Sequence, residues 1–530
     1  MTLPPLTYTI AQINPIVGDL AYNLDIVRRI WKTAPAESDL IIFPELSLTG
    51  YMPEDLLYNP SFLDATKETF ETLRRESVNH RIGILIGSPY KDHTGLYNAV
   101  HLIAGGKILA TRTKHDLPNY GIFDEKRYFT AGPLPEPVEY KGHKLGIMIC
   151  EDMWYPDVAD HLKKQGAEIL IVANGSPFET HKPSIRLQHA TLRTQKTGLP
   201  LIYVNQVGGQ DDLVFDGASF MLLPSGRFVF QSPQFEEDIQ TISLEKTGKF
   251  YPVHHETEAI YKALTMGLHD YVEKNKIGGV LIGMSGGIDS ALSATIAVDA
   301  LGPNRVRSIM MPSVFTSADS LEDAADCAAK LGIFHTVTPI SSLVESFTTL
   351  LPHTSGLAHE NLQARLRGLI LMSEANQNGW IVLSTGNKSE LSVGYATLYG
   401  DMCGGYNVLK DTYKTQVYAL ARWRNDKQNP LINERILTKA PTAELRPNQT
   451  DQDTLPPYDI LDPILIDLVE SDMSPQALID SGHNPDTVRK IVRMLTAAEH
   501  KRRQAALGPK VSSRAFSRER RYPITNGFFR

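Results

Sequence analysis

The sequence predicts an α/β protein of two domains, and three observations support this prediction. In the first half, short β-rich apolar runs alternate with helix-compatible stretches, which is typical of an α/β sandwich. In the second half, a strand, a glycine turn and a helix open a further series of strands and helices, which indicates a doubly wound parallel sheet. A polar segment separates the two halves. At roughly 150 residues per domain, length alone would allow three or four domains.

The predicted strands of the first half are four or five residues long, and several end at Gly, Pro, Asn or a charged residue, as buried strands do. They cover residues 40–43, 82–86, 145–149, 169–172 and 201–204. Helices are expected at residues 23–33, 62–78 and 154–165. The pattern lapses over residues 244–255 into a polar stretch that contains Gly, Pro and two aromatic residues. We therefore assign the first domain to residues 1–245, a linker to 246–256 and the second domain to 257–530.

The second domain is predicted to begin with a helix at residues 256–275. A strand at 279–282 then leads through the glycine turn into a helix at 288–300. Further strands are expected at 306–311, 334–338 and 381–384, with helical stretches between them. Strands that alternate with helices in this way form a parallel sheet, which binds ligands at the carboxyl ends of its strands.

The composition excludes several classes of protein. Lys and Arg number 53 against 60 Asp and Glu, and this net charge of -7 argues against non-specific binding to nucleic acid. Cys150, Cys327 and Cys403 lie far apart, so we expect no disulfide framework and a reducing, cytosolic location. A signal peptide is not evident and no apolar run reaches about 18 residues, so no membrane association is expected. Residues 489–530 differ, with 12 Lys and Arg against 2 acidic residues, and we expect this basic tail to face an anionic substrate.

The string SGGIDS at residues 285–290 is the most informative segment of the second half. A strand leads to two glycines, where backbone N–H groups can approach a phosphate, and the positive end of the next helix points there. Ser285 and Ser290 can add hydroxyl donors, and Asp289 can hold Mg²⁺ on the phosphates. A bare glycine pair is more often an ordinary strand–turn–helix corner, but the full string favours a phosphate site. Because the Lys of GxxxxGK[ST] is missing, we do not expect transfer of a terminal phosphate.

The loop resembles the pyrophosphatase loop of ATP-dependent enzymes that adenylate a substrate, among them NAD, GMP and asparagine synthetases and tRNA-thiolating enzymes. Four later segments are similar to those of NAD synthetases in particular: ENLQARLRG at 360–368, STGNKSE at 384–390, YGD at 399–401 and LKDTYKTQV at 409–417. This resemblance implies a Rossmann-like sheet of the ATP pyrophosphatase type. It also implies that ATP and deamido-NAD are substrates and that Mg²⁺ accompanies ATP.

The same resemblance implies roles for individual residues of the second domain. Those expected to bind ATP are Gly283, Met284, Ser285, Gly286, Gly287, Ile288, Asp289, Ser290, Thr385 and Lys414. Those expected to bind deamido-NAD are Asn361, Glu390 and Lys510. The expected Mg²⁺ ligands are Asp289 and Glu390. Lys414 would neutralise the charge that builds on the phosphates during adenylation. The sequence leaves open whether Arg365, Arg367 and Lys410 are functional or structural.

Three reactive residues of the first half stand in three separate strand-end contexts: Glu45, Lys114 and Cys150. A cysteine is nucleophilic only as its thiolate, so it needs a base, and Glu45 can serve as that base. Lys114 can stabilise the thiolate and the oxyanion of a tetrahedral intermediate. Taken alone, Cys150 would more often be a small buried residue at the end of an apolar strand.

The segments around these three residues, in order, resemble those of the nitrilase amidase superfamily. LPNYGIFDEKRYF, at residues 117–129, is especially similar to the glutaminase domains of glutamine-dependent NAD synthetases. This resemblance implies a nitrilase-like α-β-β-α sandwich, ammonia release from glutamine, transfer of ammonia inside the protein and a homo-oligomer. The residues it assigns to glutamine binding are Tyr120, Ser176 and Lys182, with Glu125 as a second acid that positions the site.

Two other functions are compatible with part of the sequence. A tRNA-thiolating enzyme could carry the same loop and use the basic tail on RNA, but the sequence shows no RNA-binding motif and no evident pair of sulfur-carrying cysteines. A nitrilase-like scaffold fused to a nucleotide sensor would bind ATP without turnover, but it would have no reason to combine Glu45, Lys114 and Cys150 with the phosphate loop. His254 and His255 are adjacent and have no zinc-ligand spacing.

Overall fold

The structure is a computed structural model that describes residues 4–427, 429–516 and 518–528. The predicted outer bounds of the two domains, residues 1 and 530, lie outside the described residues, as does Arg530 of the basic tail. The chain forms two compact units. Unit 1 contains Met1–Gln210 and Val214–His254, and unit 2 contains Asp211–Leu213 and His255–Arg530. The division after His254 falls within the segment assigned as a linker.

Among the described residues, unit 1 contains fourteen strands and four α-helices. The strands are β1 (Tyr8–Gln12), β2 (Leu40–Ile42), β3 (Gly83–Lys91), β4 (Leu96–Ala104), β5 (Lys107–Thr113), β6 (Val138–Tyr140), β7 (His143–Ile149), β8 (Ile169–Asn174), β9 (Leu201–Asn205), β10 (Val207–Gln210), β11 (Leu213–Asp216), β12 (Phe220–Leu222), β13 (Phe228–Gln231) and β14 (Asp238–Ile242). The helices are α1 (Leu20–Thr33), α2 (Pro60–Glu76), α3 (Pro156–Lys164) and α4 (Lys182–Thr197).

Twelve of these strands form two six-stranded sheets, ordered β14-β1-β2-β3-β4-β5 and β13-β12-β9-β8-β7-β6, and β10 and β11 form a two-stranded sheet. Side chains alternate between the two faces of each strand. Ile42 therefore packs in the core shared with Ile147 of the other sheet, whereas Ile41 faces α1 and α2. The second sheet is covered in the same way by α3 and α4, around Leu162. These layers confirm the predicted α-β-β-α sandwich.

The five predicted strands of this half correspond to β2, β3, β7, β8 and β9, and the three predicted helices correspond to α1, α2 and α3. The structure adds strands that lie mainly toward the sheet edges, and it adds helix α4. β5 has no buried residue, and α4 buries mainly Arg186, Arg193 and two threonines rather than an apolar face. The sequence pattern detects buried apolar strands, so these more polar elements carried too weak a signal to be predicted.

In the part of unit 2 that the structure describes, there are a four-stranded sheet and twelve α-helices. The strands are β15 (Val280–Gly283), β16 (Val306–Met310), β17 (Phe334–Val337) and β18 (Ile381–Leu383). The helices are α5 (Glu256–Lys274), α6 (Ile288–Leu301), α7 (Ala318–Leu331), α8 (Ser341–Leu350), α9 (Leu357–Asn378), α10 (Lys388–Val393), α11 (Lys414–Lys427), α12 (Glu434–Thr438), α13 (Tyr458–Val469), α14 (Pro475–Asp480), α15 (Pro485–Ala497) and α16 (Glu499–Arg502).

All strands of this sheet are parallel, in the order β17-β16-β15-β18. The chain adds strands to one side of β15 and then crosses to its other side to form β18. This reversal creates the topological switch point at which open α/β sheets bind ligands. The predicted doubly wound parallel sheet is therefore confirmed, and the phosphate loop follows β15 at the switch point. Among the described residues, no helix combines the length and the apolar character required to cross a membrane.

Candidate active sites

The reactive residues predicted in unit 1 lie between its two sheets. Glu45 follows β2 and Lys114 follows β5 of one sheet, whereas Cys150 directly follows β7 of the other. All three side chains are buried. Lys114 Nζ donates hydrogen bonds to Glu45 Oε1 and to Glu125 Oε1, each at 2.8 Å. The structure thus brings the predicted second acid, Glu125, onto the same lysine as the predicted base.

Cys150 begins a single 3₁₀ turn, and its φ of 46° is unusual for a residue other than glycine. Burial raises the pKa of its thiol well above the usual value, the Glu45 carboxylate raises it further, and Lys114 opposes both. The resting cysteine is therefore a thiol. A base must take its proton before it can act as a nucleophile, and the buried Glu45 is the base that the sequence predicts.

The buried Lys114 ammonium beside Cys150 is stabilised by the two carboxyl groups that it contacts. Burial lowers the pKa of Lys114, but Glu125 and Glu45 outweigh that effect and hold the pKa well above its usual value. Burial raises the pKa of Glu125, and the charge of Lys114 opposes the rise. Lys114 consequently remains a cation, which is the charge required beside a thiolate and an oxyanion.

Three further residues that the sequence did not indicate hold the two carboxylates in place. Asn98 Nδ2 donates to Glu45 Oε1 at 2.6 Å, and the backbone N–H of Gly175 donates to Glu45 Oε2 at 2.9 Å. Tyr51 Oη donates to Glu125 Oε1 at 2.8 Å. Asn98 could have been found as the one amide side chain inside the largely apolar strand β4, but the other two leave no local signal.

The residues predicted to bind glutamine lie on three separate segments of unit 1. Tyr120 Oη is 3.1 Å from each carboxylate oxygen of Glu151, the residue that follows Cys150. Lys182, the first residue of α4, places Nζ 5.0 Å from the centroid of the Trp154 ring. Ser176 follows β8 and is buried, and its backbone N–H donates to Asn205 Oδ1 at 2.9 Å.

Unit 2 contains a cavity of about 430 Å³ at the carboxyl ends of its strands. Most of the predicted residues line it: Gly283, Met284, Ser285, Gly286, Gly287, Ile288, Asp289, Asn361, Thr385, Glu390 and Lys414. Ser290 is buried behind the loop, where its Oγ donates to Gly287 O at 3.0 Å and accepts from Ser285 N at 3.2 Å. Ser290 therefore stabilises the conformation of the loop through these two hydrogen bonds.

Lys414 lies between carboxylates that line this cavity. Its Nζ forms ion pairs with Asp289 and, at 3.3 Å, with Glu390 Oε1. Burial raises the pKa of Glu390 to about 8; Lys414 opposes the rise, and Asp289 and Asp451 add to it. Burial lowers the pKa of Lys414, but the carboxylates outweigh burial and hold it above its usual value. Asp451, which begins the short 3₁₀ helix Asp451–Asp453, was not indicated by the sequence.

The oxygen atoms at this cavity suit a magnesium ion that is shared with phosphates. Within the described ranges, no three His, Cys, Asp or Glu residues are arranged to enclose a metal ion. Mg²⁺ commonly uses only one or two carboxylates together with phosphate oxygens and water. Asp289 and Glu390 provide this partial set of hard ligands, and both line the cavity.

The remaining predicted residues differ in position. Asn361 lines the cavity and its Oδ1 accepts from Thr397 Oγ1 at 2.8 Å. Lys510 does not line it: this lysine is buried, and its Nζ donates to Ser512 O at 2.8 Å and lies 3.6 Å from Glu519 Oε2. Arg367 lines the cavity and donates to Met311 O at 2.9 Å, whereas the buried Lys410 does not line it.

Comparisons with known proteins agree with this division. A carbon-nitrogen hydrolase family model matches residues 7–250, and an NAD synthase family model matches residues 260–505. The fold and its two sites thus define a protein in which a carbon-nitrogen hydrolase domain with a Glu, Lys and Cys site is joined to an NAD synthase domain.

The chain is 44% identical to glutamine-dependent NAD(+) synthetases of Acinetobacter baylyi and Rhodobacter capsulatus, with 98% of each chain covered. The chain belongs to the family of glutamine-dependent NAD(+) synthetases. A solved structure of the Acinetobacter baumannii enzyme in complex with ADP is 42% identical and has a TM-score of 0.80, with 99% of both chains covered. A Cytophaga hutchinsonii synthetase has a TM-score of 0.85 at 20% identity, which shows the shared fold.

Proposed function

We propose that unit 1 hydrolyses glutamine to glutamate and ammonia, and that unit 2 uses ATP and ammonia to convert deamido-NAD to NAD. The observation that carries this proposal is the presence in one chain of two complete sites. One is the buried set of Glu45, Lys114 and Cys150. The other is the cavity lined by the SGGIDS loop and Lys414.

The first half-reaction in unit 1 is an acyl transfer to sulfur. Glu45 takes the proton of Cys150, and the thiolate attacks the side-chain carbonyl carbon of glutamine. Lys114 stabilises the oxyanion of the tetrahedral intermediate. When this intermediate collapses, the carbon–nitrogen bond breaks, protonated Glu45 gives its proton to the nitrogen, and ammonia leaves. The enzyme is left as a γ-glutamyl thioester.

The second half-reaction restores the cysteine. Glu45 removes a proton from water, which attacks the thioester carbonyl, and Lys114 again stabilises the oxyanion. The carbon–sulfur bond breaks, the sulfur recovers a proton from Glu45, and glutamate leaves. Tyr120, Ser176 and Lys182 bind glutamine in this scheme, and the Lys182 ammonium matches the α-carboxylate of the substrate. Glu125 keeps Lys114 in position.

In unit 2, the carboxylate of deamido-NAD attacks the α-phosphorus of ATP, and pyrophosphate leaves. The loop N–H groups and the N-terminus of α6 bind phosphate oxygens, and Lys414 neutralises the charge that develops on them. Ammonia then attacks the acyl adenylate, AMP leaves, and an amide is formed after loss of a proton. Thr385 binds ATP, whereas Asn361 and Glu390 bind deamido-NAD; Lys510 is buried away from this cavity and has no role in the scheme.

Asp289 and Glu390 would hold Mg²⁺, which neutralises phosphate charge when it is bound. The proposal also includes transfer of ammonia inside the protein, because free ammonia is largely protonated in water near neutral pH. A cytosolic location suits the reduced thiol that Cys150 needs. The proposal also includes a homo-oligomer, whose interface could cover apolar residues that are exposed on α8 and α9, namely Leu350, Leu357 and Leu369.

The Cys150→Ala variant tests the proposal. The protein is incubated with Mg²⁺, ATP and deamido-NAD, and with either glutamine or an ammonium salt, while NAD, AMP and pyrophosphate are measured. Wild type is expected to use both nitrogen donors, whereas the variant is expected to use only ammonium. Cys327→Ala, which removes a buried thiol on α7, is the control that should use both. Release of ADP or phosphate instead of AMP and pyrophosphate would contradict adenylation. Equal loss of both activities in the Cys150 variant would contradict its role as nucleophile.

A further inference from the structure

We propose that Asp152 is a positioning residue that fixes the Lys114 segment against the turn that carries Cys150. The proposal rests on the glutaminase function proposed for unit 1. It assigns a role to a buried carboxylate that the reaction steps do not use.

Asp152 is 1% exposed and joins two segments that belong to different sheets. Its Oδ1 accepts hydrogen bonds from the backbone N–H groups of His115 at 3.0 Å and Asp116 at 2.9 Å. Its Oδ2 accepts from the backbone N–H of Ile149 at 2.9 Å. His115 directly follows Lys114, and Ile149 directly precedes Cys150, so one carboxylate connects the neighbours of both reactive residues.

This connection matters because β5 and β7 share no hydrogen-bonded ladder. The strands lie in separate sheets, whose faces are held together by apolar side chains. Apolar packing is not directional, so it sets the offset between the two sheets less sharply than hydrogen bonds do. The Asp152 carboxylate adds two directional bonds to the Lys114 segment, at the end of the sandwich where Lys114 must meet the thiolate of Cys150. Its third bond, from Ile149 N, fixes the turn itself.

The chemistry of a carboxylate suits this task. Burial raises the pKa of Asp152 to about 7, whereas the hydrogen bonds from the backbone N–H groups of Asp116 and Ile149 favour its ionised form. An ionised carboxylate only accepts hydrogen bonds, whereas an amide of the same shape has one accepting and one donating end. In Asp152→Asn, one end of the side chain would therefore present a donor to a buried backbone N–H. Relief of that conflict requires the two segments to move apart. A shift of this kind displaces Lys114 from Cys150 without changing the charge of either residue.

The expected kinetic signature separates positioning from substrate binding. Tyr120, which we expect to bind glutamine, donates to Glu151 and not to Asp152. The KM for glutamine should therefore stay near the wild-type value. Because displacement of a reacting group by about 1 Å can lower a rate by about 100-fold, we expect kcat for glutamine hydrolysis to fall by about that factor.

The test compares Asp152→Asn with Asp157→Asn, the same substitution at an exposed position in the first turn of α3. Glutamine hydrolysis gives kcat and KM, and ammonium-dependent NAD formation reports on unit 2. Alkylation of the Cys150 peptide by iodoacetamide, followed by mass spectrometry, reports on the thiol itself. For Asp152→Asn we expect low kcat, unchanged KM, slower alkylation of Cys150 and normal ammonium-dependent activity. Asp157→Asn should match wild type in all four.

Asp152→Glu retains both acceptor oxygens on a longer side chain, so its kcat should lie between those of Asp152→Asn and wild type, again at unchanged KM. If Asp152→Asn does not fold, the kcat and KM of Asp152→Glu test the proposal. Wild-type kcat in either Asp152 variant would overturn the proposal, and so would a rise in KM together with the fall in kcat. If wild type itself did not hydrolyse glutamine, the proposed function of unit 1 would fail, which is a different result.

Discussion

At both sites a single buried lysine lies between carboxylates. Lys114 faces Glu45 and Glu125, and burial raises the pKa of Glu125, which favours its neutral form. Lys414 faces Asp289 and Glu390, and burial raises the pKa of Glu390 to about 8, which favours the neutral form of this carboxyl too near neutral pH. At each site the lysine cation therefore offsets carboxylate charge that would be costly to bury alone.

The unusual pKa of Glu390 predicts a pH effect on stability. Because this pKa is raised from 4.5 to about 8, mainly by burial, the folded protein holds a proton that the unfolded chain has lost in that interval. The resulting stabilisation is fully present below pH 4.5 and is lost as the pH rises through about 8. Glu390→Gln cannot ionise, so it should lose less stability over this range. At about 1.4 kcal/mol per pKa unit, the difference should amount to a few kcal/mol.

Urea denaturation of wild type and Glu390→Gln, without nucleotide or Mg²⁺, measures this effect at about pH 5 and about pH 8.5. Glu374→Gln, a change at an exposed glutamate on α9, serves as the control and should follow wild type. Identical pH dependence in Glu390→Gln and wild type would show that Glu390 does not titrate in this interval.

At the scale of elements, the position of Glu45 depends on a glycine in the neighbouring strand β3. A Cβ atom on Gly87 would lie 2.2 Å from the backbone nitrogen of Leu46 and 2.9 Å from the carbonyl carbon of Glu45. The backbone N–H of Leu48 also donates to Gly87 O at 3.1 Å. The segment that carries Glu45 therefore packs directly on the strand, and only a residue without a side chain permits this approach.

Gly87→Ala should push the Glu45 segment away from the strand. We expect glutamine-dependent NAD formation to fall by about 100-fold, because the base is displaced from Cys150. Ammonium-dependent formation should be unchanged, since that reaction takes place in unit 2. Overpacking should also lower the stability of unit 1 by about 1–3 kcal/mol. Parallel assays with the two nitrogen donors measure the effect, and Lys91→Ala, at the exposed end of the same strand, is the control. Similar losses with both donors would contradict this explanation.

At the scale of the whole molecule, the net charge of -7 averages over an acidic body and a basic tail. The tail is not a free cationic surface, because several of its basic residues have acidic partners within unit 2. Arg502 and Arg503 pair with Glu499 at 2.7 and 3.1 Å, and Lys510 lies 3.6 Å from Glu519. These internal ion pairs reduce the positive field that the composition of the tail would otherwise produce.

This pairing predicts the outcome of a test for RNA binding. We expect no gel shift with tRNA at physiological salt. Cations that already have acidic partners are less able to neutralise RNA phosphates, and the net negative charge of the protein repels the polyanion. A basic tRNA-binding protein assayed in parallel is the control for the method. A salt-sensitive shift with this protein would instead support the tRNA-thiolating alternative.

The sequence by itself determined the architecture and the main reactive or binding segments of both sites. Buried parallel strands are short apolar runs with polar ends, so β2, β7, β15 and β18 were predictable together with the residues that follow them. Glu45, Cys150 and the phosphate loop follow such strands, where a local pattern is enough to find them. The exposed edge strand β5 and the polar helix α4 lack this pattern and were missed; the buried strands β1, β4 and β12 were also missed.

Only the tertiary structure decided which side chains meet. Asn98 contacts Glu45 across 53 residues of chain, and no local period encodes such a pairing. Lys388 stands in the STGNKSE segment that resembles a substrate site, but it is buried against Asp411 at 2.8 Å and Ser512 at 2.6 Å. Lys510 is buried in the same way. The physical reason is that burial and ion pairing depend on segments distant in the chain, whereas hydrophobic patterning acts on neighbouring residues.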